Sequence, residues 1–170
     1  MIERRSLGDV KADGRTLRGL AIPYGVETRI NGGTESIRAG AVAASLPGRD
    51  ILALVDHDAG KVLGRTKSGT LRLSEDERGV SFEIDLPETT AARDVLALVE
   101  RGDAGGMSFG FTTPKGGDEW RGTRRTISRM TLHEISVITS HPAYGATTVE
   151  ARTRAHADLQ MLRLRLAVRA

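Results

Sequence analysis

The chain has 170 residues, 39% hydrophobic and 28% charged, with no cysteine; this fits a soluble globular domain with a real core and excludes a disulfide framework and thiolate chemistry. The pI is about 9.7, but the basic excess is local: residues 151–170 carry five arginines against Asp158, a net +4, so the first 150 residues sum to −1 within a total of +3. A near-neutral body with 4% aromatic residues lacks the basic stripe and stacking platform of a nucleic-acid binder, and no apolar run has the length of a membrane span or the form of a secretory leader.

In chain order, residues 7–27 (LGDVKADGRTLRGLAIPYGVE) alternate between glycines and predict two strands joined at Ala12-Asp13-Gly14. Asn31-Gly32-Gly33 predicts a turn, and residues 39–46 a short helix stopped by Pro47-Gly48. Residues 51–60 (ILALVDHDAG) begin as a buried apolar run, which puts His57 at the end of a central strand. Residues 62–87 alternate around turns at 67–69 and 75–79, the pattern of a three-strand meander.

The next segment, ETTAARDVLALVERGDAGG, predicts a helix. Thr89 or Thr90 can cap its start, Ala92, Val95, Leu96 and Val99 share a face, and Gly102 suits a left-handed C-terminal cap. MSFGFTT returns to strand, and two more strands follow in WRGTRRTISRMTLHEISVIT, the second over 131–139, before Pro142 ends regular pairing. In the last segment Leu159, Leu162 and Leu166 favour a helix over the strand-like alternation of LRLRLAV. Together these elements predict a β-rich α+β fold: a closed or partly open β-barrel of about six to eight mostly antiparallel strands with flanking helices. Residues 1–150 would form the domain, and 151–170 a basic tail, either a helix or a flexible extension.

Chemistry concentrates in three places. GGMSFGF (105–111) sets Ser108 among Gly105, Gly106 and Gly110, where a small residue permits close packing or a hydroxyl serves as nucleophile. A serine nucleophile needs a base, and His57 is the candidate; the base in turn needs a group that fixes its tautomer. His133 and Glu134 both offer one, but as strand neighbours they face opposite ways. Strict alternation would place Leu132, Glu134 and Ser136 on one face and His133, Ile135 and Val137 on the other. A carboxylate inside so apolar a run (TLHEISVIT) is costly unless paired, and an imidazole would pair it. A metal site built from His57, Asp58, His133, Glu134 or His141 lacks the usual ligand spacing, and no phosphate-binding loop or G-x-S-x-G elbow is present.

ALVDHDAGKVLGRT, then DLPETTAARDVLALVERGDAGGMSFGF, then LHEISVITSHPAYGAT, in that order, resemble the tailed-phage prohead (procapsid) maturation proteases, and the resemblance spans about residues 17–147. That family is related in fold to the herpesvirus assembly proteases, a β-barrel surrounded by helices. The resemblance implies His57 as general base, Ser108 as acyl-forming nucleophile and Glu134 as third member, with His133 the runner-up on distance from the serine. The herpesvirus enzymes support the oxyanion with an arginine-rich loop, whereas residues 139–147 hold no arginine; the backbone of that loop, or of Gly105 and Gly106, would serve instead. The implied activity is that of a serine endopeptidase without metal or cofactor. It would act in the host bacterial cytoplasm, inside the assembling procapsid, on the scaffolding segment of the major capsid protein and on itself. Partnership with the capsid protein follows, and self-association stays open. The rival reading is a non-catalytic capsid-assembly module that binds scaffold through its basic tail.

Overall fold

Short loops set the strand boundaries. In the computed structural model, which describes residues 1–104 and 106–140, β1 (Glu3–Asp13) turns through Gly14-Arg15 into β2 (Thr16–Pro23). Asn31-Gly32 joins β3 (Thr28–Ile30) to β4 (Gly33–Ile37), as the turn residues predict. The helix expected over 39–46 is a single 3-10 turn at Ala43–Ser45. Then come β5 (Leu52–Val55), β6 (Asp58–Arg65), β7 (Leu71–Asp76) and β8 (Gly79–Asp85). Helix α1 (Thr90–Arg101) starts where Thr89 Oγ1 accepts from the Ala92 N–H at 3.3 Å and ends at Gly102, whose φ of 78° lets its N–H turn back to Leu98 and Val99. Its buried residues are Ala92, Val95 and Val99, and it packs against β1 and β6. Last are β9 (Gly106–Thr112), β10 (Asp118–Arg121), β11 (Arg124–Ile127) and β12 (Thr131–Ile138).

The strands form two sheets. One has eight strands in the order β6-β5-β12-β9-β1-β2-β8-β7, the other four in the order β10-β11-β4-β3. Among the described residues every pair is antiparallel except β5–β12 and β4–β11. The expected β-rich α+β class is present, but a closed barrel is not found: β6 and β7 stand at opposite ends of the large sheet with no ladder between them. One α-helix, rather than several, is seen among the described residues. The expected meander is also divided. β7 and β8 form a hairpin, while β6 pairs with β5 at the far end. Alternation finds strands but does not say which neighbour each will choose. The tail, Pro142 and His141 lie outside the described residues.

β9 and β12 occupy the middle of the sheet and are buried on both sides. Met107, Phe109 and Phe111 of β9 are fully enclosed with Leu132, Ile135 and Val137 of β12. The Phe109 and Phe111 rings lie 5.5 Å apart, and the Arg5 guanidinium sits 5.6 Å from the Phe111 centroid. Arg5 opens an ionic network that ties the two sheets together. Its Nε and Nη2 donate to Glu35 of β4 at 2.6 and 2.9 Å. Arg125 of β11 reaches Glu35 at 2.9 Å, Asp118 at 2.7 Å and both oxygens of Glu3 on β1. The hydrogen bond from Arg125 holds the Glu3 carboxyl below its usual range, against the opposing effect of burial, and Glu3 in turn raises Arg125.

Glu35 is 2% exposed and is shared by Arg5 and Arg125, so removing it takes a buried carboxylate from both guanidinium groups and leaves them to Glu3 and Asp118. Glu35→Ala is expected to lower the unfolding free energy by about 3 kcal/mol. Glu119→Ala, which breaks an exposed pair with Arg121, should leave the denaturant midpoint where it is; equal midpoints for the two variants would contradict the network's role.

Candidate active site

The two faces of β9 differ. Met107, Phe109 and Phe111 point into the core, so Ser108 and Gly110 face the other way. In the ladder with β12, Ser108 pairs with Ser136 and Gly110 with Glu134; in the ladder with β1, Ser108 pairs with Ser6 and Gly110 with Arg4. Registered partners share a face, so these six residues form one patch on one side of the sheet.

A register shift between Leu132 and Glu134 decides what β12 presents. Leu132 pairs with Phe111, Ile135 with Phe109 and Val137 with Met107, which sets all three on the core face. The expected grouping of Leu132 with Glu134, and of His133 with Ile135, is therefore wrong: a bulge at His133 resets the alternation. His133 lies instead with its Nε2 2.9 Å from Thr112 Oγ1. Burial holds its ring below the ordinary imidazole value, the Arg49 charge pushes the same way, and Glu134 opposes them.

His57 lies in the turn just beyond β5, an interior strand between β6 and β12. Val55 pairs with Asp58, so Asp56-His57 is the two-residue loop of a hairpin whose second strand, β6, lies at the sheet's edge. Both residues have positive φ, 48° and 62°, as a type I′ turn requires, although neither is glycine. Such strain persists only where the surroundings hold it. Here the Asp56 N–H donates to Val137 O at 3.0 Å, and the Asp56 carboxylate accepts from the Thr139 N–H at 2.8 Å and from the Thr139 hydroxyl. The loop is thereby fastened to the end of β12.

This fastening brings the imidazole to the carboxylate. His57 Nδ1 lies 2.6 Å from Glu134 Oε1. Ser136 Oγ donates to Glu134 Oε2 at 2.6 Å, accepts from the His57 main-chain N–H at 3.3 Å and stands 3.4 Å from Nδ1. Arg4 Nε is 4.0 Å from Glu134 Oε1, a long ion pair from a largely exposed side chain. Glu134 is 8% exposed and Ser108 1%. Among the described residues no hydrogen bond joins Ser108 to the His57 ring. The structure thus joins His57 to Glu134 rather than His133, and sets Ser108 on the same face one strand over. Asp58 is engaged by the Gly60 N–H at 2.9 Å and by Lys61 at 3.4 Å. Gly106 opens β9 opposite Ile138, and Gly105 lies outside the described residues. Among the described residues no three histidine or acidic side chains gather closely enough to hold a metal ion, and no helix is long and apolar enough to cross a membrane.

The profile of the Caudovirus prohead serine proteases matches residues 2–161. No curated protein and no solved structure matches the chain. The chain belongs to the Caudovirus prohead serine protease family, a family of serine-type proteases of the phage prohead.

Sequence reasoning gave Ser136 no role beyond its place beside Glu134, though its i, i+2 spacing put it on the same face. Arg4 and Gly110 carried no such signal, because both depend on the pairing of β1, β9 and β12. Gly110 matters by what it lacks: a Cβ there would stand 2.4 Å from Glu134 Oε1.

Gly110→Ala should accordingly displace the carboxylate and cost about 1–3 kcal/mol in denaturant unfolding. Gly106→Ala, whose Cβ would meet nothing closer than 3.9 Å, should cost clearly less; the reverse order would contradict this packing. A second expectation concerns acid. Because His133 binds its proton more weakly folded than unfolded, its contribution to stability is present above its ordinary value of 6.5 and is lost as pH falls below it. His133→Gln should flatten that part of the stability–pH curve, and an unchanged slope between pH ~7.5 and ~5 would refute the assignment.

Proposed function

We propose that the chain is the serine endopeptidase of procapsid maturation, cleaving the scaffolding segment of the major capsid protein, and itself, inside the assembling particle. The observation that carries this reading is the 2.6 Å contact of His57 Nδ1 with Glu134 Oε1, on the face of the sheet that also holds Ser108. A carboxylate on Nδ1 keeps that nitrogen protonated and leaves the Nε2 lone pair free to act as a base.

In the reaction, Nε2 takes the Ser108 proton as Oγ bonds to the scissile carbonyl carbon, and the carbonyl electrons move onto oxygen. Collapse of the tetrahedral intermediate breaks the C–N bond, and the imidazolium passes its proton to the leaving amine. A water then repeats the sequence on the acyl-enzyme, with its proton going to His57, and Ser108 is released with its own proton restored. Glu134 steadies the imidazolium at both stages. Backbone N–H groups at Gly105 and Gly106 would receive the oxyanion. Ser108 is 1% exposed, so binding a peptide at its Oγ requires the residues around it to move.

Co-expression with the capsid protein tests this reading. Ser108→Ala and His57→Ala should each abolish processing, seen as an intact capsid chain by mass spectrometry, because either loss disables the unit as a whole. Glu134→Gln should reduce processing by about 10²-fold or more, and His133→Ala far less. Full cleavage by Ser108→Ala, or equal mild effects of the last two changes, would overturn the assignment.

A further inference from the structure

Ser136 is a fully buried polar group of the central strands that the reaction above does not use. It lies on β12, between Ile135 and Val137, each also fully enclosed. A hydroxyl at such a position needs partners, and all of its partners belong to the candidate site. Its one proton goes to Glu134 Oε2 at 2.6 Å. Its lone pairs then face two donors, the His57 main-chain N–H at 3.3 Å and Nδ1 at 3.4 Å.

These directions can be satisfied together in one way. Glu134 Oε2 takes the Ser136 hydroxyl, so Oε1 is the oxygen left for the ring, 2.6 Å from Nδ1. With Ser136 donating to the carboxylate, its oxygen can only accept from the imidazole, which requires the proton on Nδ1. The same oxygen accepts from the backbone of a loop residue with φ of 62°. One side chain therefore fixes the rotation of the carboxylate that holds the ring and the position of the strained loop. Ser136 faces Nδ1, the protonated nitrogen, so the ring offers it no base for an attack of its own. The remaining charged neighbour is Arg4, whose Nε approaches Oε1 and leaves Oε2 to the serine.

We infer that Ser136 is a positioning residue, which locks Glu134 and the His57 loop into the arrangement that makes Ser108 reactive. The inference rests on the protease reading for its consequence, and on the hydrogen bonds alone for its geometry. Without the hydroxyl, one carboxylate oxygen and one main-chain N–H lose their partners in a nearly dry site.

The test uses the full chain and a fluorophosphonate probe, in which Ser108 Oγ bonds to phosphorus, fluoride leaves and the proton passes to His57. Ser136→Ala should label Ser108 about tenfold to a hundredfold more slowly than the wild type, the loss expected when a buried charged acceptor goes unpaired. Ser136→Thr, which keeps the hydroxyl, should recover most of the rate, and Ser136→Cys, which fills the volume with a weak donor, should not. In parallel, amide hydrogen exchange at His57 should quicken in the Ala and Cys variants and not in Thr. Wild-type labelling by Ser136→Ala, with Ser108→Ala unlabelled, would overturn the inference and leave the protease reading standing. If the wild type itself takes no label, the protease reading falls, and the exchange rate of the His57 amide decides the geometric claim: unchanged exchange in Ser136→Ala and Ser136→Cys overturns it.

Discussion

A carboxylate buried in the middle of an apolar sheet is the constraint on which the rest of the site depends. Glu134 sits on β12 with β5 on one side and β9 on the other, and an ionised group there is tolerated only if its oxygens are met by donors. His57 and Ser136 meet them. Each of these requirements reaches back into the backbone. Gly110 leaves the space that the carboxylate occupies, the bulge at His133 turns Glu134 out of the core, and the left-handed Asp56-His57 loop delivers the imidazole.

The remainder of the fold holds this arrangement steady. β1 lies between β9 and β2 and contributes to both faces. Arg4 and Ser6 lie with the site, while Glu3 and Arg5 belong to the ionic network that reaches Glu35 and Arg125 in the smaller sheet. Alternation along one strand thus assigns one set of charges to the site and another to the junction of the sheets. Asp56 does comparable work at the other edge, where its contacts with Thr139 and Val137 hold the loop to β12. The strain at His57 is therefore supported by hydrogen bonds rather than by a glycine.

Much of this was legible in the sequence, and the misses have physical causes. The α1 caps at Thr89 and Gly102, the hairpin turns at Gly14 and Asn31-Gly32, and the strand character of β9 and β12 are local properties, written in residue types at fixed spacing. Sheet order is not local: β6 left the expected meander for β5, and the closed barrel was not found. The faces of β12 were misread because one extra residue at His133 inverts every side chain beyond it. The family resemblance favours Glu134 over His133, and the structure places Glu134, not His133, on the His57 ring. Ser136 and Gly110 stayed silent because their significance lies in what faces them across a ladder.

The central claim is that Glu134 holds His57 in the tautomer that leaves Nε2 bare. Long-range proton–nitrogen correlation on histidine-labelled protein reads it directly, because the two ring nitrogens resonate apart when only one is protonated. The account predicts a protonated Nδ1 and an unprotonated Nε2 at His57 near neutral pH, a pattern altered by Glu134→Gln and left intact by His133→Ala. A proton on Nε2 in the wild type, or a His57 pattern that His133→Ala disturbs as much as Glu134→Gln does, would contradict it.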